Sequence, residues 1–177
     1  AVELSVTESS VNPAELPADV TLFQGVIKGS GMDWLVEKAV ELGVNQIVPF
    51  VSEHTVADCG ETKARRLEKI AREAAKQCGR ARIVAVGAAA GFKQMCGMLG
   101  GFDGVLFCNE RGGMPLSKAS FGGKKIAVIV GSEGGFSQTE AQTLSGLAQS
   151  VTLGARILRA ETAGIYALSV IAEALSV

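Results

Sequence analysis

The chain has 177 residues, 47% of them hydrophobic and 20% charged, with 17 Lys+Arg against 18 Asp+Glu. That is enough for one sizeable core and too hydrophobic for a disordered chain. The formal net charge of −1 excludes a uniformly basic nucleic-acid binder, and no period of roughly 20–50 residues marks a repeat array.

The longest apolar runs, such as residues 126–130, fall far below the roughly 20 residues of a membrane span. Cys59, Cys78, Cys96 and Cys108 form no CxxC pair, and His54 is the only histidine. A Cys/His metal site therefore has little support, and reduced thiols in a soluble cytoplasmic protein are expected.

Residues 1–20 are polar, carry Pro13 and Pro17, and lack helical periodicity, so they read as the end of another unit or as a linker. Residues 22–27 form a strand candidate. Ser30 is then a candidate N-cap for a helix whose Leu35, Ala39 and Leu42 share a face and which Gly43 stops. Residues 47–51 follow as a strand. Residues 62–78 form the clearest helix, with a stripe of Leu67, Ile70, Ala71, Ala74 and Cys78 ended by Gly79. A strand at 83–86, a short helix at 92–99 and a strand at 105–108 come next. Residues 126–130 are continuously apolar, as in a strand buried on both faces of a parallel sheet. Ser137 and Glu140 form a capping box ahead of a helix. A short strand at 151–153 and a helix over 160–175 close the pattern. Strands alternating with helices predict an α/β fold around a mainly parallel sheet flanked by helices.

Three features bear on chemistry. Gly131-Ser132-Glu133-Gly134-Gly135-Phe136 lies between the buried strand and the capped helix, at the sheet edge where open α/β folds bind ligands. It matches neither GxGxxG nor a P-loop. Glu133 would repel phosphate and better suits ribose hydroxyls, a cationic cofactor or proton transfer; a plain strand-to-helix turn is the alternative. Residues 153–163 mix Ile157 and Leu158 with Arg156 and Arg159, a combination fit to hold a flat heterocycle and an anion, or simply a solvated loop. Residues 63–82 carry +6 while the rest of the chain carries −7, so the neutral total hides a polarised molecule. A basic helix face of this kind lies along a phosphate backbone or stays solvated. Glu110 and Arg111 follow a strand and border a site or make a turn. Trp34 and Tyr166 are too isolated in sequence to suggest a stacking platform.

Glu37-Lys-Ala-Val-Glu-Leu-Gly-Val44, Gln77-Cys-Gly-Arg80, Gly131-Ser-Glu-Gly-Gly-Phe-Ser137 with Glu140, and Leu153-Gly-x-Arg-Ile-Leu-Arg-x-Glu-Thr-Ala163 occur in that order. From about residue 22 onward the set resembles the RsmE family, bacterial methyltransferases of small-subunit (16S) ribosomal RNA. The resemblance implies a SPOUT-type fold with a C-terminal deep trefoil knot over residues 21–177, with residues 1–20 the remnant of an N-terminal PUA-like domain and its linker. It implies S-adenosylmethionine as cofactor, uracil N3 as the methylated atom, no metal, and a homodimer whose partner lies near the active site. Cofactor contacts carry over to Phe107, Cys108, Asn109, Gly131, Glu133, Gly134, Gly135, Leu153, Gly154, Ile157, Leu158 and Arg159. Arg159 is expected to stabilise an anion, Arg80 and Gln77 to position substrate, and Glu133 or Glu161 to take a proton. Ser132 stands where the family usually has Pro. A knotted methyltransferase of transfer RNA and a non-catalytic RNA-binding or assembly factor are the alternatives.

Overall fold

Alternation of apolar side chains along the central strands decides the layering. A computed structural model of the chain describes residues 2–9 and 12–176. In strand β7 (Lys125–Val130), Ile126, Val128 and Val130 enter one buried cluster while Ala127 and Ile129 enter a second. In β1 (Asp19–Gly25) Val20 and Leu22 face the first cluster and Phe23 the second. In β2 (Gln46–Val51) Ile47 is set against Val48 and Phe50, and in β5 (Gly104–Cys108) Leu106 is set against Phe107. A sheet apolar on both faces must be covered on both. Helices α1 (Gly31–Glu41), α2 (Glu61–Gln77) and α5 (Ala160–Leu175) close the first face, through residues such as Leu35, Leu67 and Leu168. Helices α3 (Phe92–Met98) and α4 (Gln138–Leu147) close the second, through Met95 and Leu144.

Four short strands complete the sheet: the two-residue β3 (Ala85–Val86), β4 (Ala90–Gly91) and β6 (Met114–Pro115) and the four-residue β8 (Gln149–Thr152) bring it to eight strands. The order is β3-β2-β1-β7-β5-β8-β6, with β4 also on β2, and every pairing is parallel. The predicted α/β class with its mainly parallel sheet is thus observed.

Local differences have physical reasons. The strand predicted at 83–86 shrinks to Ala85–Val86, because the chain meets β2 only at Gln46 and Ile47 and leaves Ile83 67% exposed. The first strand starts at Asp19 and ends at Gly25, so it begins inside the stretch read as a linker. Ser30 precedes α1 but its side chain makes no capping bond. The Ser137–Glu140 capping box is present: the Glu140 amide donates to Ser137 Oγ at 3.4 Å and the Ser137 amide to Glu140 Oε2 at 3.0 Å. Gly43 and Gly79 stop α1 and α2 at φ +90° and +76°, which L side chains rarely adopt.

Arg80 joins three parts of this scaffold. Its side chain is 1% exposed and pairs with Glu15 at 2.7 Å. Its Nη1 donates to the carbonyls of Val40 and Val44, at the end of α1. Glu15 Oε1 in turn accepts the amides of Ala81 and Arg82, both at 3.1 Å. The guanidinium satisfies orphan carbonyls at a helix end while its charge is neutralised, which makes the burial tolerable. Removing one partner leaves the other charged and buried, so Arg80→Ala should cost about 3 kcal/mol of stability by chemical denaturation. Burial pushes the Glu15 pKa up, but the Arg80 hydrogen bonds and charge and the two amides outweigh it and hold it below 4.5. A depressed carboxylate stabilises the fold fully above its unfolded value and loses that contribution as pH falls through the folded one. The stability gap between wild type and Glu15→Gln should therefore be full at neutral pH and close as pH drops below 4.5.

Candidate functional site

Strands β1, β7, β5 and β8 lie side by side, and their carboxyl ends feed four loops into one region. Those loops enclose a cavity of about 910 Å³, within the size range of small-molecule sites. Phe107, Val130 and Phe136 give it apolar walls. Phe136 is itself fixed by rings, stacked on Phe50 at 5.9 Å and edge-on to Phe107 at 5.2 Å.

The glycine loop is held from two sides. On one side β1 passes it at backbone distance: a Cβ on Gly25 would lie 2.2 Å from the Ser132 nitrogen, so no other residue fits without displacing the loop. The wholly buried Gln24 donates from Nε2 to the Gly131 carbonyl at 3.1 Å and to the Gly25 carbonyl at 3.2 Å. The Lys28 amide donates to Glu133 Oε1 at 2.9 Å, joining the loop after β1 to the glycine loop. On the other side the loop after β2 braces it. His54 Nδ1 lies 3.1 Å from the Gly134 carbonyl, which can only accept, so that nitrogen carries the proton. Thr55 Oγ1 donates to Ser132 Oγ at 3.4 Å and the Glu53 amide donates to Glu140 Oε1 at 2.9 Å. Ser132 is thereby buried and hydrogen-bonded. Gly135, at φ +64°, turns the chain into α4.

The sequence-predicted cofactor set largely converges here. Phe107, Cys108, Asn109, Gly131, Glu133, Gly135, Leu153, Gly154, Ile157, Leu158 and Arg159 all line the cavity, and so does Glu161. Gly134 does not line it; its Cα faces His54, whose carbonyl would sit 2.7 Å from a Cβ there. Burial pushes the Cys108 thiol up to about 12, so it is a neutral wall group. Arg159 and Arg156 are exposed and make no ion pair among the described residues.

Two predicted positioning residues are elsewhere. Arg80 is consumed by Glu15 and the end of α1, and its side chain is sealed from any substrate. Gln77 is exposed on α2, in a shallow hollow between α1 and α2 rather than in the cavity. The basic segment is also less available than its +6 suggests. Arg65 pairs with Glu61, Arg66 with Asp33, Lys76 with Glu73, and Arg82 with Asp19, while Lys63 donates to the carbonyls of Ile27 and Asp58.

Sequence reasoning missed the loop after β1. Lys28, Gly29, Ser30 and Trp34 line the cavity, yet they form no recognised motif. The available signal was topological: a glycine-containing turn at the carboxyl end of a strand. Among the described residues no three His, Cys, Asp or Glu side chains gather as a metal would require, and no helix is long and apolar enough to cross a membrane.

Comparison with known proteins bears on this cavity. The RNA methyltransferase domain family matches residues 14–172. Ribosomal RNA small subunit methyltransferase E of Bacillus subtilis is 32% identical over 96% of this chain and 72% of its own length. The protein of the same name from Mesomycoplasma hyopneumoniae is 33% identical, over 85% of this chain and 67% of its own. A crystal structure of a ribosomal RNA small subunit methyltransferase E from Neisseria gonorrhoeae, bound to S-adenosyl methionine, superposes with TM-score 0.80 at 32% identity, covering 88% of this chain and 65% of that one.

The tight passage of β1 past the glycine loop gives a direct test. Gly25→Ala should force residues 131–132 away and cost about 2 kcal/mol, read as a lowered denaturant midpoint.

Proposed function

The chain belongs to the RsmE family of ribosomal RNA small-subunit methyltransferases, and on that premise we propose that it transfers a methyl group from S-adenosylmethionine to N3 of a uridine in small-subunit ribosomal RNA. The single observation that carries the reading is the convergence of the loops after β5, β7 and β8 on one cavity of about 910 Å³.

The residues present fit the cofactor. Gly131, Gly135 and Gly154 expose backbone groups where a side chain would intrude, apolar Phe107, Val130 and Leu158 suit an adenine ring, and Glu133 suits ribose hydroxyls or a cationic centre. When bound, the cofactor supplies an electrophilic methyl on a sulfonium. The remaining chemistry falls to this chain. A uracil N3–H must lose its proton before that nitrogen can attack, and negative charge then spreads onto the two flanking carbonyl oxygens. We assign the stabilisation of that charge to Arg159, which lines the cavity and makes no ion pair among the described residues. Glu161, in the first turn of α5, and Glu133 are the proton acceptors at hand. Of the two, Glu133 already spends one oxygen on the Lys28 amide, which favours Glu161. Apolar walls exclude water, and a bound base is held in line for transfer.

The same reading includes a cytoplasmic homodimer and a trefoil-knotted C-terminal chain. It is tested by calorimetric titration with S-adenosylmethionine, followed by mapping of the methylated base after incubation with small ribosomal subunits or transfer RNA. Binding with label at uridine N3 of ribosomal RNA is expected; absence of binding heat removes the methyltransferase reading, and label confined to transfer RNA removes the ribosomal substrate. Arg159→Ala should cut turnover at least tenfold, a loss of about 1.4 kcal/mol of transition-state stabilisation.

A further inference from the structure

We propose that the mouth of the cavity grips a single-stranded segment of RNA, with phosphates on Lys28, Arg111 and Arg156 and one unstacked base on Trp34. The inference rests on the RNA reading above and moves the grip from the α2 face to the cavity rim. Phosphate binding gains from releasing counterions, and a cation already neutralised by a carboxylate of its own chain has little to offer. Five of the eight basic residues in 63–82 are neutralised in that way. Lys28, Arg111 and Arg156 are exposed, line the cavity and make no ion pair among the described residues. They come from three separate loops, after β1, β5 and β8, so their charges surround one opening instead of lying along one helix. Glu110, Glu133 and Glu161 line the same cavity and repel phosphate, which confines the backbone to the cationic positions. Glu133 also holds the Lys28 amide and so fixes the root of that side chain.

Trp34 adds the second half of the grip. It is the only tryptophan, lies in the first turn of α1, lines the cavity and is 46% exposed. Ile157, 88% exposed, adds apolar surface to the same lining. Apolar faces among free cations suit a nucleobase joined to phosphates, and duplex RNA keeps its bases stacked inside, so the occupant is single-stranded.

The experiment titrates a dye-labelled short single-stranded oligouridine RNA and a dye-labelled RNA duplex with the full chain, reading affinity and its salt dependence by anisotropy for every variant and following Trp34 fluorescence where Trp34 is present. Single-stranded RNA should quench the fluorescence and the duplex should not. Combined Lys28→Met, Arg111→Met and Arg156→Met should flatten the slope of log affinity against log salt by about 2, at roughly 0.7 per single-strand phosphate contact. Combined Arg65→Gln, Arg66→Gln and Lys76→Gln should leave it unchanged. Trp34→Ala should weaken binding about tenfold, and Trp34→Phe should retain most of it. A slope that responds to the α2 set and not to the rim set overturns the proposal. So does a Trp34 signal that tracks protein concentration instead of RNA, which would place a second copy on that face. Calorimetry with S-adenosylmethionine on the same samples separates the two readings: rim-dependent RNA binding without cofactor heat leaves the grip and removes the methyltransferase, and cofactor heat without a rim effect does the reverse.

Discussion

The end of β1 lies against the backbone of the glycine loop with no room for a Cβ, and the site is assembled around that contact. Gly25 lets the two main chains meet, and Gln24 converts proximity into a fixed register by donating to both the Gly131 and Gly25 carbonyls. Because β1 sits between β2 and β7 in the sheet, the same contact sets the loops after all three strands. The Lys28 amide reaches Glu133 from one flank, and His54 and Thr55 reach Gly134 and Ser132 from the other. Open loops that would otherwise be mobile are over-determined by backbone bonds, which is how a site built of glycines keeps its shape.

Charge is managed by the same logic of local closure. The most basic stretch of the chain lies opposite acids drawn from distant positions: Glu15 before β1, Asp19 at its start, and Asp33 on α1. The exposed pairs contribute little energy one by one. Their effect is to reduce the net positive charge along α2, where Lys69 and Arg72 make no ion pair among the described residues, while Lys28, Arg111 and Arg156 line the cavity likewise without one. Arg80 is the extreme case, an arginine whose whole side chain serves as internal scaffold.

Long periodic elements were readable from sequence because burial leaves a regular trace. The α2 stripe, the run at 126–130 and the Ser137–Glu140 box each encode their surroundings within a few residues. Strands β3, β4 and β6 are two residues each, too short to carry a period, and exist only because a neighbouring strand offers free backbone groups. Ile83 shows the converse, an apolar residue left in solvent. Within the site, the loops at 131–136 and 153–163 were legible through their composition, and the loop after β5 through the family resemblance. Arg80 was misjudged because its partner Glu15 lies 65 positions away, and the place of Trp34 in the cavity lining exists only in the folded chain.

The pairing of β1 with β7, Asp19 opposite Lys125, has a consequence for how the molecule is made. A ribosome emits β1 long before the strand that flanks it. At roughly 5–20 residues per second, several seconds separate the two during synthesis. Through that interval α1 and α2 can cover one face of β1 and β2, only the short α3 is available for the other, and the edge of β1 that β7 will occupy stands open. Such a chain completes its sheet late, and parallel contacts of this separation are intrinsically slow to close. Late closure of the sheet is thus written into the strand order itself.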